Sequence, residues 1–146
     1  AAFFGLGAYT YAVAVMNLGD STGAVVLAVL IPAIFAAVLG YFMFWGRISD
    51  VYLGVITLTV SLILFNLVNS TAGDAYRIGS APLGGFNGIP SIPTLNVPGQ
   101  PELVLDPLQM FQLCVVTLAL VYYGLRWLLA SRFGRVVVAI RENERR

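Results

Sequence analysis

Where the charges fall decides most of what this chain can fold into. Residues 1–19, 21–46, 51–73 and 107–125 contain no Asp, Glu, Lys or Arg. A helix needs about 20 apolar residues to cross the hydrocarbon core of a bilayer. The spacing therefore predicts four transmembrane helices, near 1–17, 22–45, 51–69 and 108–130. Core helices of a water-soluble domain are excluded, because almost no polar face is left to meet water. The expected fold class is all-α: a polytopic membrane protein with a long external loop at 70–107 and a tail at 131–146.

Composition narrows the chemistry. The chain is 59% hydrophobic and 10% charged, where soluble domains are about 25% charged. A net charge of +1 and the lack of a dense basic face argue against nucleic acid as a partner. The sequence has no His and no Lys, which excludes His-based acid–base catalysis, a Cys/His zinc site and a phosphate loop with its lysine. The lone Cys114 sits in an apolar run; with no base beside it, it reads as a buried apolar thiol rather than a nucleophile. No catalytic residue, metal ligand or cofactor site is expected. AAFFGLGAY at the start lacks a basic n-region and reads as the interior of a membrane helix. Both ends of the chain are expected to be cuts within a longer protein.

Arginines orient the spans. Arg47 lies in the turn GRISD, and Arg132 and Arg135 follow the fourth span. Placing both clusters in the cytoplasm leaves Asp20, Asp74, Arg77, Glu102 and Asp106 on the other side, which is then net acidic, as the positive-inside rule expects. Pro32 in the second span removes one backbone hydrogen bond and is expected to kink the helix. Small residues recur at four-residue spacing (Ala24 with Ala28, Ala33 with Ala37, Ala36 with Gly40), so these faces are expected to touch other helices.

The third span is the most polar. Thr57 and Ser61 share one face, and Thr59 and Asn66 another. Hydroxyls in such a helix ordinarily bond to their own backbone. Asn66 and Asn69, near the outer end, remain open between helix–helix contact and a solute path. The loop at 70–107 holds six of the seven prolines and the cluster GGFNGIP. Six prolines exclude a regular helix or a central strand. Its apolar content argues for an ordered cap or re-entrant hairpin, with Gly84, Gly85 and Gly88 supplying tight turns beside Asn87.

The tail SRFGRVVVAIRENERR carries five of the eight arginines and two glutamates. A turn at Ser131–Gly134 is expected to bend the chain at the membrane surface. A lipid anchor explains Arg132. The mixed charges of Arg141, Glu142, Asn143, Glu144 and Arg145 suit docking into a polar groove on another protein.

FFGLGAY, VYLGVITL, GGFNGIP and, above all, SRFGRVVVAIRENERR resemble the permease subunits of ATP-binding-cassette importers for branched-chain amino acids. The tail pattern S-R-F-G-R-x-x-x-A-I-R-E-N-E is matched from Ser131 to Glu144; GGFNGIP also resembles the related urea and short-amide permeases. The resemblance implies a bacterial or archaeal plasma (inner) membrane subunit within a larger permease bundle. It implies pairing with a second permease subunit, ATP hydrolysis by separate cytoplasmic ATPase subunits, and delivery of solute by a periplasmic or extracellular binding protein. Arg135, Arg141, Glu142, Asn143, Glu144 and Arg145 would then couple to the ATPase. Asn66, Asn69, Gly84, Gly85, Asn87 and Gly88 would belong to the solute path or its external loop. A channel-like facilitator of small neutral solutes and a structural membrane subunit remain the alternatives from the residues alone.

Overall fold

The computed structural model describes residues 2–46, 48–73 and 75–143. Arg47, Asp74, Glu144, Arg145 and Arg146 lie outside them, as do the side chains of residues 50, 137, 138 and 140–143. Five α-helices carry the fold: α1 (Ala2–Leu18), α2 (Ser21–Trp45), α3 (Asp50–Ser70), α4 (Pro107–Ala130) and α5 (Arg132–Asn143). α2, α3 and α4 are long and apolar enough to cross a membrane. α1, at 17 residues, is a shorter apolar helix. The fold class is thus that of an all-α polytopic membrane protein.

Local chemistry explains the helix ends. α1 stops at Gly19, whose φ of 71° is the left-handed C-terminal cap; its N–H donates to the Val15 carbonyl at 2.9 Å. Asp20 caps α2, its carboxylate accepting from the Thr22 N–H at 3.3 Å and the Thr22 hydroxyl at 3.2 Å. Pro107 opens α4, where a missing N–H costs nothing. One turn in, the Gln109 side chain accepts from the Asp106 N–H at 3.0 Å.

Residues 1–104 and 105–146 form two separate compact units. In the first, α1 and α2 pack as an antiparallel hairpin around Ala12, Ala14, Val15 and Ala24, with Tyr11 and Met16 alongside. Phe3 and Phe35 meet with ring centroids 5.9 Å apart. Alanine is what lets the two backbones approach. α2 runs through Pro32 as one helix. Proline has no N–H to give the Ala28 carbonyl, and Gly7 of α1 fills the space instead: a Cβ there would lie 3.0 Å from that oxygen and 3.4 Å from the Pro32 ring. Ala24 and Ala28 are therefore on the α1-facing side, whereas Ala33, Ala36 and Ala37 are exposed within the unit.

Between α3 and α4 the chain forms two small antiparallel hairpins. β1 (Arg77–Ile78) pairs with β2 (Ala81–Pro82), and β3 (Asn96–Val97) with β4 (Gln100–Val104). A 3-10 turn at Gly85–Asn87 separates them. Every strand here is an edge strand, which is where Pro82 and Pro101 can be accommodated.

The second unit is α4 and α5. No described residue of α4 is buried. Cys114 is exposed on it, which corrects the expectation of a buried thiol: an apolar run is not a packed one until another element covers it. The turn after α4 is also shorter than Ser131–Gly134. It is Ser131 alone, and α5 starts at Arg132.

Candidate functional site

The long loop is clasped onto the α1–α2 turn by two sets of polar side chains. In the first, Asn17 near the end of α1 donates from Nδ2 to the Ile78 carbonyl at 2.9 Å and to its own helix at Val13 at 2.7 Å. Its Oδ1 accepts from the Ser80 N–H at 2.9 Å, and the Ser80 hydroxyl donates to the Met16 carbonyl at 2.6 Å. Asn17 thus closes the β1–β2 turn onto the helix end as a backbone partner would.

The second clasp is buried. The Ser21 N–H, one of the donors a helix start leaves without an intrahelical partner, donates to Asn96 Oδ1 at 2.7 Å. The Ser21 hydroxyl accepts from the Asn96 N–H at 3.0 Å and donates to the Asn96 carbonyl at 3.2 Å. Asn96 Nδ2 donates to Asp20 at 2.9 Å. That contact, then the Thr22 N–H, holds the Asp20 carboxyl below its ordinary value of 3.8. Ser21 and Asn96 are 1% and 7% exposed, so losing either partner leaves a buried polar group unpaired. A third tie, from the Tyr11 hydroxyl to the Pro93 carbonyl at 3.1 Å, joins the middle of the loop to α1. Asp20 and the loop consequently sit at one end of the α1–α2 hairpin.

The glycine cluster is attached at the end of α3. Gly84, Gly85 and Gly88 all have positive φ, at 68°, 57° and 75°. Gly84 and Gly85 are both closed to a side chain: a Cβ on Gly84 would collide with the Gly88 carbonyl oxygen, and one on Gly85 would come within 2.5 Å of the Ala72 Cβ and 2.8 Å of the Ala72 nitrogen. This packing presents Phe86, 76% exposed, and Asn87, also exposed, on the outer surface of the turn. Asn66 is exposed on α3 and Asn69 half-buried. The hydroxyls of Thr57, Thr59 and Ser61 bond to Gly54, Val55 and Thr57 carbonyls of their own helix at 2.9, 2.9 and 2.7 Å. They line nothing.

At the other unit, Arg132 and Arg135 are exposed on the first turn of α5. Arg141, Glu142 and Asn143 continue that helix, and Glu144 and Arg145 lie outside the described residues. Ser131 serves both helices: its hydroxyl donates to the Leu128 carbonyl of α4 and accepts from the Gly134 N–H of α5 at 3.3 Å. Among the described residues no three His, Cys, Asp or Glu side chains come together to hold a metal ion.

The clasps were not visible in the sequence. Asn17, Ser80 and Asn96 carry no motif, and their partners lie more than sixty residues away along the chain. The one available signal was Asp20-Ser21 as a helix start, which marks unpaired N–H groups without saying what meets them.

No curated protein and no solved structure matches the chain. A family model described as branched-chain amino acid transport system / permease component matches residues 1–146. With three helices long and apolar enough to cross a membrane, the chain belongs to this family of membrane-embedded transport permeases.

Proposed function

We propose that the chain is the membrane-spanning subunit of an ATP-binding-cassette importer for branched-chain amino acids, powered by ATPase subunits on separate chains. The family match across residues 1–146 carries the reading. In this reading a second permease subunit completes the pathway, and a periplasmic or extracellular binding protein delivers solute to the clasped cap that presents Phe86 and Asn87. The protein resides in the plasma membrane of a bacterium or archaeon, with residues 46–50 and 131–146 in the cytoplasm. The chain holds no cofactor of its own, and ATP is bound by the partner.

The ATPase contact is assigned to Arg135, Arg141, Glu142, Asn143, Glu144 and Arg145. Attraction to anionic lipid accounts for the arginines at about 1 kcal/mol each but leaves the glutamates without a role. A groove of complementary charge uses both signs to set register. Reversing Glu142 and Glu144 to lysine in the full-length protein is expected to lower ATP-driven uptake of leucine tenfold or more and to loosen ATPase co-purification, while membrane insertion is unchanged; on the order of 2 kcal/mol for a disrupted charged contact gives that factor. Normal insertion, retained ATPase and unchanged uptake would remove the docking role. Leucine flux that persists without ATP would instead favour a facilitator.

A further inference from the structure

Within its own unit, helix α5 has an apolar face that no described residue covers. Phe133 is 64% exposed and Val136 57%, and helical register puts positions 137 and 140 in line with them. Register places Arg135 on the opposite side and Arg132 at one flank. α5 is the most amphipathic helix of the five, whereas the helices long enough to cross a membrane are apolar all round.

We infer that α5 is an interfacial helix whose Phe133–Val136 face seats in the surface of an anionic bilayer. Three observations commit the face to lipid. The first is continuity: α4 is a 24-residue membrane-crossing helix, and only Ser131 separates its last residue from α5, so α5 begins where the hydrocarbon ends. The second is the end of α4 itself. Tyr122, Tyr123 and Trp127 are exposed there, and the Arg126 guanidinium lies 5.9 Å over the Tyr122 ring. That is the aromatic and basic belt of a membrane boundary. The third is charge: α5 has no acidic residue in its first turn, and Arg132 occupies it instead, followed by Arg135. Cations at a helix N-terminus oppose the helix dipole, but lipid phosphate groups suit Arg132 at the flank of the face.

The junction is built for a change of direction. Ser131 is extended, at φ −69° and ψ 170°, which ends α4. Gly134 then rests on the backbone of Leu129, where a Cβ would collide with the Leu129 carbonyl oxygen and lie 2.5 Å from its Cα. Only glycine lets the first turn of α5 fold so closely against the last turn of α4. Whether a chain-external ATPase exists does not enter this inference, which rests on α4 crossing the membrane.

The test uses the full-length protein in nanodiscs of phosphatidylcholine and phosphatidylglycerol, in a Cys114→Ser background. Spin labels at Phe133→Cys and Glu142→Cys report collision with lipid-soluble oxygen and with a water-soluble nickel chelate. Position 133 is expected to favour oxygen and position 142 the chelate. Replacing Arg132 by glutamine is expected to cut the lipid-bound to free ratio of the 133 label by roughly fivefold, as is a pure phosphatidylcholine disc. A 133 label open to the chelate overturns the inference. So does one shielded from both reagents, which would place the face against protein.

Discussion

The clasped loop between α3 and β4 and the α4–α5 unit hold their shapes by different means. In the cap, side chains bond across more than sixty residues: Asn17 with Ile78 and Ser80, Ser21 with Asn96, Tyr11 with Pro93. In α4–α5 every described side-chain bond is local, reaching three or four residues: Gln109 to Asp106, Thr117 to Leu113, Arg126 to Tyr122, Ser131 to Leu128 and Gly134. A loop with no regular periodicity must borrow order from tertiary contacts, because its own backbone bonds are few. A membrane helix satisfies its backbone internally and can leave its side chains for lipid or for other subunits. The loop is therefore held by bonds far apart in sequence, and α4–α5 by bonds within one helical turn.

Two glycines give the largest contrast. Gly85→Val forces a branched side chain to positive φ and into Ala72, and is expected to cost the cap about 3 kcal/mol. Gly124→Val in α4 meets nothing within 4 Å and is expected to be neutral or slightly stabilising, since valine outranks glycine in a helix. Hydrogen exchange of residues 76–97 in nanodiscs separates the two. Equal protection in both variants would break the distinction between the regions.

A smaller effect is expected from polar deletions. Asn96→Ala leaves the buried Ser21 N–H without its acceptor, while Asp20 keeps its bonds from Thr22, and a loss of about 2 kcal/mol is expected at the clasp. Thr117→Val removes only a bond to its own helix, from the hydroxyl to the Leu113 carbonyl at 2.8 Å, and should stay within about 0.5 kcal/mol. Exchange of the amides around residues 21 and 96 measures the first, and thermal unfolding of the α4 helix the second. A cap that keeps its protection in Asn96→Ala is held chiefly by the Asn17–Ser80 clasp.

The smallest effect is a pH dependence confined to the cap. Because hydrogen bonds from Asn96 and Thr22 lower the Asp20 value below 3.8, their stabilisation is complete above that pH. It is lost as pH falls through the lowered folded value. Pepsin cleavage within 76–104 is expected to accelerate in that acid range, and Asp20→Asn is expected to flatten the profile. An unchanged profile in Asp20→Asn would assign the acid sensitivity to another carboxylate.

Much of this was legible from residue order. Charge-free stretches of 19 to 26 residues state a solvent preference, and that preference is a sum over composition which needs no knowledge of neighbours. The own-backbone bonding of Thr57, Thr59 and Ser61 was legible for the same reason, since the partner is one helical turn away. Six prolines also announced a loop with edge strands at most. The exposure of Cys114 was misread, because an apolar run says that water is excluded and does not say by what.

What the sequence by itself determined is the membrane-crossing architecture and, through the resemblance of its tail and loop motifs, the family. Both are properties of contiguous residues. What only the tertiary structure decided is which polar groups meet: that Asn96 caps α2 from 75 residues away, that Gly7 lies against the carbonyl freed by Pro32, and that Ser131 alone turns α4 into α5. A hydrogen bond across a loop depends on where the chain returns in space. No period or composition along the chain records that return.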